Sequence, residues 1–261
     1  MKTLWIITVL VLIGVGAYFF TRNSTTQIIQ TFTPGISATP VPTPTPTASL
    51  IYGNGTVIIG ITNTSVASDA ISDVAITIDK MELHSDAQGW IEIANNPKTY
   101  RLPALKSSGQ LELAGRATAS ADIYNQVRLT ISKVVVKNKS GASKTAMVPT
   151  ASFAMATTIP VNGKQFSALK IDILQDASLH TITNGGYLFA PVVTIEARSN
   201  ATAYDSENNG ITVEGGVISS NTKAGMDIDG SVKENFQIDS RAVIKLEGGT
   251  LKIEATPTPG N

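Results

Sequence analysis

From Gly53 onward the chain is written in short runs of Val, Ile and Thr, divided by clusters of Gly, Asn, Asp and Ser. β-branched side chains fit a pleated surface better than a helix, and the dividing residues are turn formers, so the pattern predicts an all-β fold. Strands are expected at 56–62, 73–84, 90–94, 99–103, 124–137, 144–148, 166–174 and 187–198. In Val74-Ala75-Ile76-Thr77-Ile78 the apolar residues alternate, but Met81 and Leu83 fall on the opposite parity, which predicts a bulge near Asp79-Lys80. The stretch from Leu105 to Leu113, followed by Gly115, is the one place where a short helix or a loop is expected.

A second stretch, 200–255, repeats the idiom with more glycine. Ile211-Thr212-Val213-Glu214-Gly215-Gly216-Val217-Ile218 parallels Ile244-Lys245-Leu246-Glu247-Gly248-Gly249-Thr250-Leu251, and each Glu-Gly-Gly is expected to be a hairpin turn. Two copies do not make a repeat protein, and a piece this short with few large apolar side chains would be marginal alone. It is expected to extend the domain at 53–199 or to form a small second β domain.

What precedes Gly53 is of another kind. An uncharged, mostly apolar run starts at Leu4 and ends at Phe20, flanked by Lys2 and Arg22. As a helix it would measure roughly 26 Å, near the lower limit for a hydrocarbon core of about 30 Å. Val15-Gly16-Ala17 would suit a cleaved signal peptide, but Tyr18-Phe19-Phe20 prolongs the apolar run, so residues 1–22 are read as an uncleaved membrane anchor, with a cleaved signal peptide as the alternative. The linker, 23–52, contains Pro40-Val41-Pro42-Thr43-Pro44-Thr45-Pro46-Thr47, where alternate prolines remove backbone donors and favour an extended spacer. From Thr33 such a spacer of roughly 15 residues would reach about 45 Å. The tail at 256–261 echoes it and is expected to be disordered.

Composition narrows the function. Lys+Arg and Asp+Glu both number 20, so no net basic charge draws the chain to nucleic acid. The chain has no Cys, which rules out disulfides, thiolate metal sites, thiol catalysis and the lipid-modified cysteine of a lipoprotein. There is no Gly-x-Ser-x-Gly elbow, and no phosphate-binding glycine motif precedes a helix. No catalytic, metal or cofactor-binding residue is therefore assigned, and the chain is read as a non-enzyme.

The sequence leaves three chemistries open. His84 and His180 are the only histidines; if their strands lay side by side, His84, Glu82 and His180 would meet at one metal, whereas structural or edge-exposed histidines are the plainer expectation. Asp227-Ile228-Asp229-Gly230-Ser231 begins like a calcium loop, but Ile238 stands where the closing Glu is needed, which makes it an Asp-Gly hairpin turn. Trp90, Tyr100, Tyr124 and Tyr187 are the rings available to a carbohydrate, each otherwise expected at the core's edge with its polar atom at the surface. Asn54, Asn63, Asn138 and Asn200 head N-glycosylation patterns.

The run from Val74 through Lys80-Met81-Glu82-Leu83-His84-Ser85, then Gly89-Trp90 and Tyr124-Asn125-Gln126-Val127-Arg128-Leu129, resembles a family of secreted prokaryotic domains, domain of unknown function four-three-eight-two. Lys170-Ile171-Asp172-Ile173, Ser178-Leu179-His180 and Tyr187-Leu188-Phe189-Ala190-Pro191-Val192 follow in the family's order. The resemblance implies an antiparallel, transthyretin-like (prealbumin-like) or carboxypeptidase-regulatory-like β-sandwich outside the cell, often in lipoproteins, and no activity. Lacking the lipoprotein cysteine, this chain would rely on its apolar run. The reading is a single-pass cell-membrane protein whose noncatalytic, extracytoplasmic module displays a binding or structural surface to an envelope protein or polysaccharide. Its alternative is a carbohydrate- or metal-binding recognition domain.

Overall fold

Alternation of apolar and polar residues, inward and outward, builds the two longest strands of the first half and fixes where the core lies. The computed structural model describes residues 52–65 and 69–254, all within one compact unit, Ala48–Asn261. The first half holds β1 (Asn54–Thr62), β2 (Ile71–Ser85), β3 (Gly89–Ala94), β4 (Lys98–Arg101), helix α1 (Leu102–Ser108), β5 (Leu111–Ser120) and β6 (Asp122–Asn138). Then come β7 (Ser143–Thr145), β8 (Ser152–Val161), β9 (Phe166–Ile173), the one-turn α2 (Gln175–Ser178), β10 (Leu179–Thr181) and β11 (Tyr187–Phe189). The last are β12 (Val192–Asp205), β13 (Gly210–Met226), β14 (Val232–Glu234), β15 (Val243–Glu247) and β16 (Thr250–Glu254). The apolar run from Leu4 to Phe20, the Pro/Thr linker and the tail lie outside the described residues; among the described residues no helix is long and apolar enough to cross a membrane.

β2 and β6 pair antiparallel along nearly their whole length, with β3 and β4 on the far edge of β2 and β7 and β8 on the far edge of β6. The register slips on either side of Ile78, so that Val74, Ile76 and Ile78 before the slip and Met81 and Leu83 after it all point inward. This is the predicted bulge. The second sheet runs β12-β9-β1-β5-β13-β14. Its Val57, Ile59, Ile61, Leu169, Ile171 and Ile195 join Ile76, Leu83, Val127, Leu129, Phe153 and Ile159 of the first sheet in one buried cluster, giving a sandwich-like all-β fold. Dry aliphatic burial of this kind contributes about 2 kcal/mol per large side chain, offset by the ordering of the strands.

Several expectations are corrected. The sheets are not purely antiparallel: β1 and β9 run parallel, Thr56 to Thr62 against Phe166 to Asp172. β9 is entered from β8 of the opposite sheet rather than through a hairpin, so nothing forces the reversed direction. The stretch 105–113 splits into α1, which ends at Gly109 in the left-handed conformation (φ 62°), and the start of β5. β5 and β8 were not among the expected strands. Tyr100 and Tyr124 do not sit at the core's edge but are 1% and 0% exposed. The expected hairpin turn at Glu247-Gly248-Gly249 joins β15 to β16, whereas Glu214-Gly215-Gly216 is no turn at all and lies inside β13, paired with Ala201 and Thr202.

That last difference shapes the molecule. β12 and β13 form a long hairpin, and β12 continues without a break across position 199/200. β12 leaves β9 after Ala201, where Asn200 (φ 54°) faces the Gly215-Gly216 pair (φ 63° and 71°). These left-handed residues bend the ladder without breaking it. A Cβ on Gly216 would stand 2.7 Å from the Ser199 carbonyl oxygen and 2.9 Å from Ala201 Cα, so the bend admits only glycine there. The distal hairpin then folds back over the outer face of the sheet, and Gly210 and Ile211 pair with Glu112 and Leu111 of β5. The strands β9, β1, β5, β13 and β12 thus close into a ring. Ile58 and Ala168 on the sheet and Ala201 and Ile211 on the arm, none in the main core, are each 5% exposed or less.

Candidate functional site

Among the described residues, two places on the outer surfaces gather chemistry. On the outer face of the first sheet the register sets Trp90 beside His84 and Gln126, and Glu92 beside Glu82 and Arg128. The His84 and Trp90 rings are 5.0 Å apart, and the Arg128 guanidinium stands 3.9 Å from the Trp90 centroid. Glu82 is the hub: its Oε2 accepts from Arg128 Nε at 2.7 Å and its Oε1 pairs with Lys80 Nζ at 2.9 Å, which also reaches Glu92 at 2.6 Å. The Arg128 hydrogen bond, above all, holds the Glu82 carboxyl below the usual carboxylate range. His84 Nδ1 meets Asn125 Oδ1 at 3.0 Å, and Asn125 donates to Asp86 at 2.9 Å.

This face does not bring His84, Glu82 and His180 together as a metal site. His180 stands on β10, which pairs with β11 and not with β2, so it does not meet His84 and Glu82. Among the described residues no three His, Asp or Glu side chains gather for a cation. Glu82 is already neutralised by two cations, and Trp90 already carries Arg128 on its ring. His180 is buried with Nε2 unpartnered, and burial pushes its imidazole below the usual range, against the smaller opposite pull of the Ala177 backbone. The Asp-Gly turn joins β13 to β14 as expected: Asp229 Oδ1 accepts from Ser231 N and Oγ, and Asp227 Oδ2 pairs with Lys233 at 2.7 Å. Both carboxylates are thus spent on the turn. Of the glycosylation patterns, Asn63 is 2% exposed and donates to the Leu102 carbonyl at 2.9 Å.

The second place was missed by sequence reasoning. Between the arm and the outer face of the sheet lies a groove of about 730 Å³, within the size range of small-ligand sites. Its floor is Ala168 and Lys170 of β9 with Thr62 of β1; one wall is Glu196 and Arg198 of β12, the other Ile211 to Val213 of β13, and Lys106 and Gln110 stand at its end. Arg198 Nε donates to Glu196 Oε1 at 2.7 Å and Nη1 to the Gly215 carbonyl at 3.0 Å, which ties the groove to the bend. Lys106 Nζ donates to the Thr64 carbonyl. Lys170 is exposed, and its ammonium has no hydrogen-bond or ion-pair partner among the described residues. Arg116 and Asp205, paired at 2.5 Å, pin the arm to β5. The signal available in the sequence was the polar alternation of Lys170 with Asp172 and of Glu196 with Arg198, outward positions on strands called from their inward residues.

A family model described as Domain of unknown function (DUF4382) matches residues 54–191. No curated protein and no solved structure matches the chain.

Proposed function

The chain belongs to the family described as Domain of unknown function (DUF4382), and on that premise we propose that it is a membrane-tethered, extracytoplasmic, noncatalytic module that presents a binding groove at the cell envelope. The observation that carries this reading is the groove under the β12–β13 arm. The hairpin bends away from its own sheet, lands on β5, and encloses an open groove of mixed polar and apolar lining where a structural hairpin would continue the flat ladder. Rigid strands position every wall of that space, as a binding site requires. The apolar run between Leu4 and Phe20 is the tether in this reading, the Pro/Thr stretch is the spacer, and the sandwich is of the transthyretin-like kind that the resemblance implies. Its partner is an envelope polysaccharide or protein.

The absence of cysteine makes the test clean. In spheroplasts carrying the full chain as Ala87→Cys, an exposed hairpin position, a membrane-impermeant maleimide labels the protein without lysis, and the protein stays with the membranes through a carbonate wash. Labelling only after lysis, or release by carbonate, would overturn the tethered, outward-facing reading.

A further inference from the structure

We propose that the groove binds a polyhydroxylated oxyanion, a sugar that carries a carboxylate or a phosphate; this rests on the reading of the groove as the binding site. Lys106, Lys170 and Arg198 line it against the single carboxylate of Glu196, a local excess of two positive charges on a chain with none overall. Opposite charge in a concave site concentrates field on a bound anion. Arg198 and Lys106 are held in place by their contacts to Glu196, Gly215 and Thr64, whereas Lys170 on the floor has no partner to give up. An arriving oxyanion therefore gains a charge-assisted hydrogen bond from Lys170 without breaking one. The rest of the lining mixes hydroxyl and amide groups, Thr62, Thr64, Thr212 and Gln110 among them, with the apolar Leu111, Ile211 and Val213, a combination suited to the hydroxyls and the C–H faces of a sugar. At about 730 Å³ the groove has room for more than one sugar ring.

The experiment is calorimetric titration of the full chain in detergent with four probes: trigalacturonate, glucose 6-phosphate, maltotriose and inorganic phosphate. Binding of trigalacturonate or glucose 6-phosphate, absent with maltotriose and at least about tenfold tighter than inorganic phosphate, is the expected result, and whichever sugar binds identifies the anion's source. Lys170→Ala, an exposed change that leaves the melting temperature in place, weakens that binding about tenfold, a loss of one charge-assisted contact. The affinity falls with added salt. No heat with either anionic sugar, equal binding of maltotriose or of inorganic phosphate, or an affinity untouched in Lys170→Ala each overturns the proposal. Maleimide labelling of Ala87→Cys is independent of ligand, so failure here with labelling intact removes the ligand class and leaves the tethered module standing.

Discussion

The Arg128 guanidinium lies between the Trp90 ring, 3.9 Å from its centroid, and the Glu82 carboxylate, to which Nε donates at 2.7 Å. Glu82 has a side chain only 6% exposed, so its charge is tolerable because two cations face it. Removing Arg128 leaves a buried carboxylate with Lys80 alone. Arg128→Ala is expected to destabilise by about 1–2 kcal/mol, between the values for an exposed and a buried ion pair because the guanidinium itself is partly exposed, measured by urea titration followed through tryptophan fluorescence. Glu82→Gln in the Arg128→Ala background should recover part of that loss, because it removes the stranded charge. A double variant as unstable as the single one would show that packing on Trp90, not charge, holds the site.

The same carboxylate sets an acid limit. Its folded pKa lies below the unfolded value near 4.5, so its contribution is complete above that value and is lost as pH falls through the folded one. His180 acts higher on the scale. Its folded pKa is depressed below the ordinary 6.5, so the unfolded chain binds the proton first, and stability, complete above about pH 6.5, falls as pH drops. The slope from this one group cannot exceed about 1.4 kcal/mol per pH unit. Unfolding free energies at pH 5 to 8 should decline on the acid side in the native chain and stay flatter in His180→Gln; parallel curves would remove His180 from the account.

The strands that were legible were those rich in β-branched residues, and the bulge at Ile78 was legible because the parity switch from Ile78 to Met81 has no other explanation in an inward-facing strand. β8 was not legible although Phe153, Met155, Thr157, Ile159 and Val161 take alternate inward positions, because the polar Thr157 interrupts the apolar series, Ala154 and Ala156 dilute its β propensity and Pro160 reads as a breaker. β5 carries Leu111-Glu112-Leu113-Ala114, which local propensity assigns to helix, and only its position beside β1 makes it a strand. The groove was illegible for a deeper reason. It depends on a bend in a ladder of two strands, and Gly-Gly after Glu has the same local signature whether the chain reverses there, as at Gly248-Gly249, or only bends, as at Gly215-Gly216.

Tyr100 carries a testable oddity. Its ring is among the largest fully buried side chains, and its hydroxyl is buried with no hydrogen-bond partner. Burial first, and the nearby Glu112 charge second, push its phenol far above the usual range. An unpartnered buried hydroxyl costs its desolvation, so Tyr100→Phe should be neutral or stabilising by up to about 1 kcal/mol. Tyr124→Phe, which gives up a 3.3 Å hydrogen bond to the Ser120 carbonyl, should destabilise by a similar amount. Thermal melts of the two variants side by side decide it; destabilisation of Tyr100→Phe beyond that of Tyr124→Phe would mean that the Tyr100 hydroxyl has a partner after all.

The bend at the arm separates backbone strain from steric exclusion, because its two glycines share a left-handed backbone and differ in the space open to a Cβ. Both have positive φ, yet a Cβ on Gly215 meets nothing within 4 Å while one on Gly216 collides with Ser199 and Ala201 backbone. Gly215→Ala should cost about 1 kcal/mol, the left-handed penalty for a non-glycine residue. Gly216→Ala bears that penalty and the collision as well, and the ladder relieves both by straightening, which pulls Gly210 and Ile211 off β5 and opens the groove. Amide exchange on Leu113, whose N–H donates to the Asn209 carbonyl at 2.8 Å, reads the landing directly. It should stay protected in Gly215→Ala and exchange markedly faster in Gly216→Ala. Equal protection in both would mean that the arm is held by its landing site and not by its bend, and that the Arg116–Asp205 pair, rather than Gly216, is the residue contact to break.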